Sequence, residues 1–221
     1  MLKTVIFDLD GTLLNTIGDL AGAGNHVCAQ RGWPSHTEAE FRRMVGYGIP
    51  NLVEKFTPEE CRDEATLAAA LAEFQRYYGA HQRDRTAPYD GVPAMLAALK
   101  DRGLRLAVYS NKADEFSRSL AEYFFPGTFD AILGKRPGIP GKPDPAGLRL
   151  LLAELGTAPE ESVNSPSPSG RPESSEPVYV PSSTRPKSAA RQGTFSPWPS
   201  RRRSAVSVPS KRQPAPCTVP V

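Results

Sequence analysis

A chain of 221 residues, 39% hydrophobic and 23% charged, is sized for one medium domain, or a core with a smaller insert, and no apolar run is long enough to span a membrane. Its net charge of +3 hides a split: residues 163–221 hold nine Lys or Arg against two Glu, whereas residues 1–162 carry −4, so the basic balance does not mark a nucleic-acid-binding body. Cys28, Cys61 and Cys217 form no metal-type or CxxC spacing, and "MLKTVIFD" reads as a strand rather than a signal peptide, which together predict a cytoplasmic protein.

Residues 3–8 are β-branched and apolar, a short buried strand ending in "DLD". Residues 16–31 read as a helix stopped near Gly32. "TPEE" at 57–60 has the form of a capping box, with Thr57 as N-cap and Glu60 closing it. Leu67, Ala70, Leu71, Phe74 and Tyr78 then form a helical stripe. Residues 15–85 are thus predicted all-helical, a cap inserted after the first strand. From Tyr89 the pattern alternates: helix 93–102, strand 104–111, helix 114–124, strand 129–134, helix 145–156. Such alternation predicts an α/β fold, a Rossmann-like parallel-sheet core over residues 1–14 and 86–162. Residues 163–221 contain 12 Pro and 13 Ser and no Asp, a composition that predicts a disordered tail. "SRRRS" in that tail reads as a solvated charge run rather than a nucleic-acid site.

In open α/β sheets ligands bind beyond the carboxyl ends of the strands. Asp8 and Asp10 follow the first strand, Ser110 and Asn111 end the second, and Lys142 lies in the loop after the third. Two adjacent carboxylates there need compensation by a metal ion, a lysine, or both. A carboxylate pair, a hydroxyl and a lysine in one crevice suit phosphoryl transfer through an aspartyl-phosphate. His26, His36 and His81 have no ligand pattern and read as structural or surface, and Cys28 as core.

"FDLDGTL", "VYSNK" and Lys142, in that order, resemble three signatures of the haloacid dehalogenase superfamily in its phosphatase form. "VGYGIPNLV" and "GIPGKPDP" resemble the phosphoglycolate phosphatase branch, whose helical cap follows the first signature. The resemblance implies Mg²⁺-dependent hydrolysis of a small phosphomonoester, 2-phosphoglycolate the best match. Asp8 would be the nucleophile and Asp10 the acid and base; Thr12, Ser110, Asn111 and Lys142 would serve the phosphate. Asp8 and Asp10 would ligate the metal, and the flexible "GYG" loop at 46–48 would approach the substrate. One element of the family pattern does not follow: after "APEES" the expected buried strand and Gly-Asp-x-x-x-Asp signature give way to "VNSPSPSG", and no aspartate occurs after Asp144. Two expectations come from this. The strand at 3–8 would present an unpaired edge, and catalysis would be impaired or absent. The sequence gives no oligomeric state.

Overall fold

The computed structural model describes residues 1–164. In chain order these form β1 (Thr4–Phe7), β2 (Leu14–Asn15), α1 (Ile17–Gln30), α2 (Glu38–Met44), α3 (Ile49–Phe56), α4 (Glu64–His81), β3 (Ala87–Pro88), α5 (Val92–Asp101), β4 (Arg105–Ala113), α6 (Asp114–Phe124), β5 (Ala131–Lys135), α7 (Ala146–Glu154) and β6 (Ser162–Asn164). The main sheet has the order β5-β4-β1-β6. All its pairings are parallel, with Val5 opposite both Leu106 and Val163. Helices connect the strands and cover both faces, as parallel pairing requires. One face packs Val5, Phe7, Leu96, Val108 and Leu120, and the other packs Ile6, Ala107, Leu133 and Leu151.

The chain leaves this layer at Leu14–Asn15 and returns at Ala87–Pro88, and these two short strands pair antiparallel. Between them α1–α4 build a helical layer with its own core, including Phe41, Phe56, Phe74 and Tyr78. Asp19 ties the return: it is buried, and its carboxylate accepts from Arg85 N, Thr86 N and Thr86 Oγ1 at 2.7–2.9 Å. Three donors offset the cost of burying that charge.

Two expectations are corrected. The first strand is not an edge. β6 hydrogen-bonds along it, with Thr4, Ile6 and Val163 in register with Ser162, Asn164 and Val5, so β1 is interior and wholly buried. The strand that follows "APEES" therefore begins as the fold requires. Val163, the first residue of the predicted tail, packs against the core. The disorder predicted for the rest of the tail falls outside the described residues. The second correction concerns capping. Thr57 ends α3, its hydroxyl donating to Val53 O at 2.8 Å, and residues 59–61 form a single 3₁₀ turn. α4 starts later, with Asp63 accepting from Thr66 N. The capping box of the helical layer is instead Thr37 with Glu40, at the start of α2. Among the described residues no helix is long and apolar enough to cross a membrane.

Candidate active site

The site forms at the carboxyl end of β1, where the strand stops and the backbone turns. Gly11 takes φ 77°, a conformation glycine adopts without strain, and Leu9 O collects the amides of Leu13 and Leu14. This tight turn fixes Asp8 and Asp10 within one loop. Asp8 is buried, its Oδ1 accepting from Leu9 N at 2.8 Å and paired with the Lys142 ammonium at 3.0 Å. Lys142 Nζ also lies 5.1 Å from the centre of the Tyr109 ring. Asp10 Oδ1 accepts from Thr16 Oγ1 at 2.7 Å, and both its oxygens face Lys112 Nζ, at 3.1 and 3.3 Å. Each carboxylate thus has its own lysine.

Lys112 is the residue that sequence reasoning missed. It is buried near the end of β4, its ammonium 4.7 Å from the centre of the Tyr78 ring on α4. Burial, the largest single effect, would lower its pKa, but Asp10 and Tyr78 together outweigh it, and the ammonium is held above its ordinary range. Burial also pushes the Tyr78 phenol up to about 12, so the ring meets the lysine as a neutral face. The signal was present in "YSNK": alternation along a strand puts Ser110 and Lys112 on one side, toward the loop that carries Asp10.

The other expected residues divide. Ser110 is buried beyond Val108, the partner of Phe7, and its hydroxyl accepts from Lys112 N at 3.2 Å. Thr12 Oγ1 is buried with no hydrogen-bond partner among the described residues. Asn111 has its carboxamide committed to main chain: Nδ2 donates to Gly46 O at 3.0 Å and Lys142 O at 3.2 Å, while Oδ1 accepts from Lys142 N at 2.7 Å. It therefore positions Lys142 and holds the 46–48 loop instead of presenting a free amide to a phosphate. A Cβ on Gly141 would lie 2.7 Å from that Oδ1, so a side chain there would displace the carboxamide from its partners. Of the other residues weighed, His26 stacks on Tyr77, His36 is held by Asn25, His81 pairs with Asp84, and Cys28 is buried in the helical core.

Among the described residues no group of three His, Cys, Asp or Glu side chains could hold a metal ion. Asp8 and Asp10 supply two carboxylates from side chains, and both already have ammonium partners. A hard divalent cation wants about six oxygen ligands, so these residues make part of a site and not a whole one. Chemically, the arrangement offers a carboxylate whose Oδ1 is fixed by a lysine and an amide, leaving Oδ2 to act. A second carboxylate lies two residues on. Beside Asp10 lies a cavity of about 280 Å³, bounded by Asn15, Thr16 and Tyr89 and, from the helical layer, by Arg42 and Val45.

Residues 5–164 match the family of haloacid dehalogenase-like hydrolases. The phosphoglycolate phosphatase of Thiobacillus denitrificans is 36% identical over 168 residues, 72% of each chain. That of Aquifex aeolicus is 31% identical over 163 residues, 73% of this chain and 74% of the relative. Among solved structures, a protein from Lactobacillus delbrueckii subsp. bulgaricus assigned as a phosphoglycolate phosphatase superposes with a TM-score of 0.68 at 30% identity, covering 73% of this chain and 77% of that one. CbbY from Rhodobacter sphaeroides, in complex with phosphate, gives 0.63 at 25% identity, covering 74% and 77%.

Proposed function

Because the chain belongs to the haloacid dehalogenase-like hydrolases and, with its phosphatase relatives, is a phosphoric monoester hydrolase, we propose that it acts on 2-phosphoglycolate through an aspartyl-phosphate on Asp8. The observation that carries the reading is the pair of aspartates at the end of β1, each with a dedicated lysine. The naming of its relatives as phosphoglycolate phosphatases supports the substrate.

In the first half-reaction Asp8 Oδ2 bonds to phosphorus as the ester P–O bond breaks, and the departing alkoxide takes a proton from Asp10. Lys142 draws charge from Asp8 and from the phosphoryl oxygens, which the Ser110 and Thr12 hydroxyls receive. In the second, Asp10 takes a proton from water as the water oxygen attacks phosphorus. Asp8 is released as carboxylate and inorganic phosphate leaves. Mg²⁺ is the proposed cofactor, with Asp8 and Asp10 among its ligands; when bound it offsets charge between carboxylate and phosphate. We place the reaction in the cytoplasm, on a small soluble ester, with no role for a membrane or nucleic acid.

A second reading has its own support. The described residues lack a third acidic ligand, and no aspartate follows Asp144. On this reading the chain retains the phosphate pocket but is catalytically impaired. Metal charge stabilisation contributes several kcal/mol, and about 4 kcal/mol is roughly a thousandfold in rate. One assay separates the two: turnover of 2-phosphoglycolate and p-nitrophenyl phosphate at millimolar Mg²⁺, beside the Asp8→Asn variant. Mg²⁺-dependent turnover that vanishes with Asp8→Asn supports the first. Turnover no greater than that of Asp8→Asn, with inorganic phosphate still bound, supports the second.

A further inference from the structure

The two lysines of the site are alike in one further respect. Each meets both a carboxylate and a tyrosine ring: Lys142 meets Asp8 and Tyr109, and Lys112 meets Asp10 and Tyr78. The origins of the rings differ. Tyr109 belongs to β4, in the layer of the parallel sheet. Tyr78 belongs to α4, in the helical layer. There it ends a run of buried rings, Phe41, Phe56, Phe74 and Tyr78, with successive centroids 5.8–6.1 Å apart. It also meets Phe116 of α6 edge-on, at 5.3 Å. Packing against Phe74 and Phe116 therefore fixes the Tyr78 ring in place.

Lys112 has few ways to satisfy its charge. Its side chain is 2% exposed, so water contributes little. Among the described residues its ammonium hydrogen-bonds to Asp10 alone. The Tyr78 ring, 4.7 Å away, is the other group that meets it. A cation over an aromatic face is attracted to it, more strongly where water is excluded. What Tyr78 offers is the ring, since its Oη has no partner at hydrogen-bond distance among the described residues. The lysine stem is flexible, and without the ring the ammonium would be free to leave its place. Asp10 depends on that place. Its Oδ1 is shared by Thr16 and Lys112, but its Oδ2 is held by Lys112 only.

We propose that Tyr78 is a positioning residue: its ring holds the Lys112 ammonium on Asp10 and so fixes the carboxylate that exchanges the proton. The contact stands by itself, and its consequence for rate rests on the phosphatase reading above. Asp8 has no such dependence on α4, because Lys142 rests on Tyr109 and its main chain is held by Asn111.

The test uses the full chain, with its aspartates and lysines carbon-labelled for NMR. In the parent, the Lys112 Cε protons should lie upfield of those of exposed lysines, the signature of a group over a ring face. Tyr78→Phe should keep that shift and Tyr78→Leu should lose it. Tyr78→Leu should also move the Asp10 carboxyl signal and leave that of Asp8 in place. Phe56→Leu, an equal loss further along the same run of rings, should lower the urea midpoint and leave all these signals unchanged. Turnover gives a second readout. kcat/KM covers the steps up to departure of the leaving group; nitrophenolate departs without a proton, whereas the alkoxide of 2-phosphoglycolate needs one. Tyr78→Leu should lower kcat/KM about ten- to hundredfold for 2-phosphoglycolate and only about threefold for p-nitrophenyl phosphate, with Tyr78→Phe restoring both. A parent Lys112 signal without the upfield shift overturns the proposal even if no variant folds. So do Tyr78→Phe behaving like Tyr78→Leu, Asp8 and Asp10 signals that move together, or equal losses on the two esters. If the parent turns over neither ester, the phosphatase reading falls, and the lysine and carboxyl signals still decide whether Tyr78 positions Asp10.

Discussion

Lys112 Nζ sits between the two oxygens of Asp10, at 3.1 and 3.3 Å, with its side chain almost completely shielded from water. The pair joins the end of β4 to the loop after β1, and the Tyr78 ring closes over it from α4. Removing the anion from such a pair leaves a buried charge uncompensated, a loss of about 3–5 kcal/mol. Asp10→Ala should therefore lower stability by about 3 kcal/mol in urea denaturation. Asp10→Ala combined with Lys112→Met should recover much of it, since both charges are then gone. A single variant as stable as the double one would mean that the contact does not bear on the fold.

Asn111 makes a different prediction from the one its motif suggests. Its side chain satisfies Gly46 O, Lys142 O and Lys142 N, three main-chain groups on two separate loops. Asn111→Ala leaves these groups without their partner, at about 1–3 kcal/mol for groups kept from water. The variant should unfold at lower urea, and proteases should cut more readily near residues 46–48 and 142. Unchanged stability and protection, with phosphate binding alone lost, would return Asn111 to the role of direct ligand.

The reach of the sequence differed between fold and site for physical reasons. Helix and strand types were legible because burial repeats with the period of the element, as at Ala70, Phe74 and Tyr78 on α4. Asp8, Asp10 and Lys142 were legible because the motif order places them at strand ends, and the structure brings Lys142 to Asp8. The partnership of Lys112 with Asp10 was not, because 102 residues separate them and neither shows its burial locally. β6 was hidden because "SVN" is too short and polar to stand out, and only its pairing with Thr4–Ile6 makes it a strand. Asn111 shows a further limit: its position at the end of a strand is compatible with a ligand or a tether, and only its hydrogen bonds decide.

The helix starts give a direct comparison between the capping box at α2 and the one expected at 57–60. Thr37 accepts from Glu40 N while Glu40 Oε2 accepts from Thr37 N at 2.7 Å, so the box at α2 is closed in both directions. Thr37→Ala should cost about 1 kcal/mol, the usual effect of losing an N-cap. Asp63→Ala at α4 should cost a similar amount, since Asp63 Oδ1 accepts from Thr66 N at 3.0 Å. Glu60→Ala should fall within about 0.5 kcal/mol of the parent, as expected for a surface change away from any cap. Chemical denaturation of the three variants checks the order. A Glu60 effect equal to that of Thr37 would restore the capping box expected at 57–60.

Alkaline pH should destabilise the fold, beginning with Cys28. Burial in the helical core pushes its thiol from 9.0 up to about 11. The folded state therefore keeps this proton where the unfolded chain gives it up. With fewer protons bound in the unfolded state, unfolding becomes more favourable as pH rises. The stability tied to Cys28 is complete below pH 9.0 and is lost as pH climbs through about 11. Two pKa units correspond to about 2.7 kcal/mol at the limit. The Tyr78 phenol, pushed up to about 12 by burial, acts in the same direction at higher pH. So does Lys112, whose ammonium is held above its ordinary range by Asp10 and Tyr78 together against the opposing effect of burial. Urea midpoints measured between pH 8 and 11 should hold to about pH 9 and then fall in the parent. Cys28→Ala should start lower, because it leaves a small cavity, but should fall less steeply over the same range. Parallel curves for the two proteins would show that the Cys28 thiol does not control the alkaline limit.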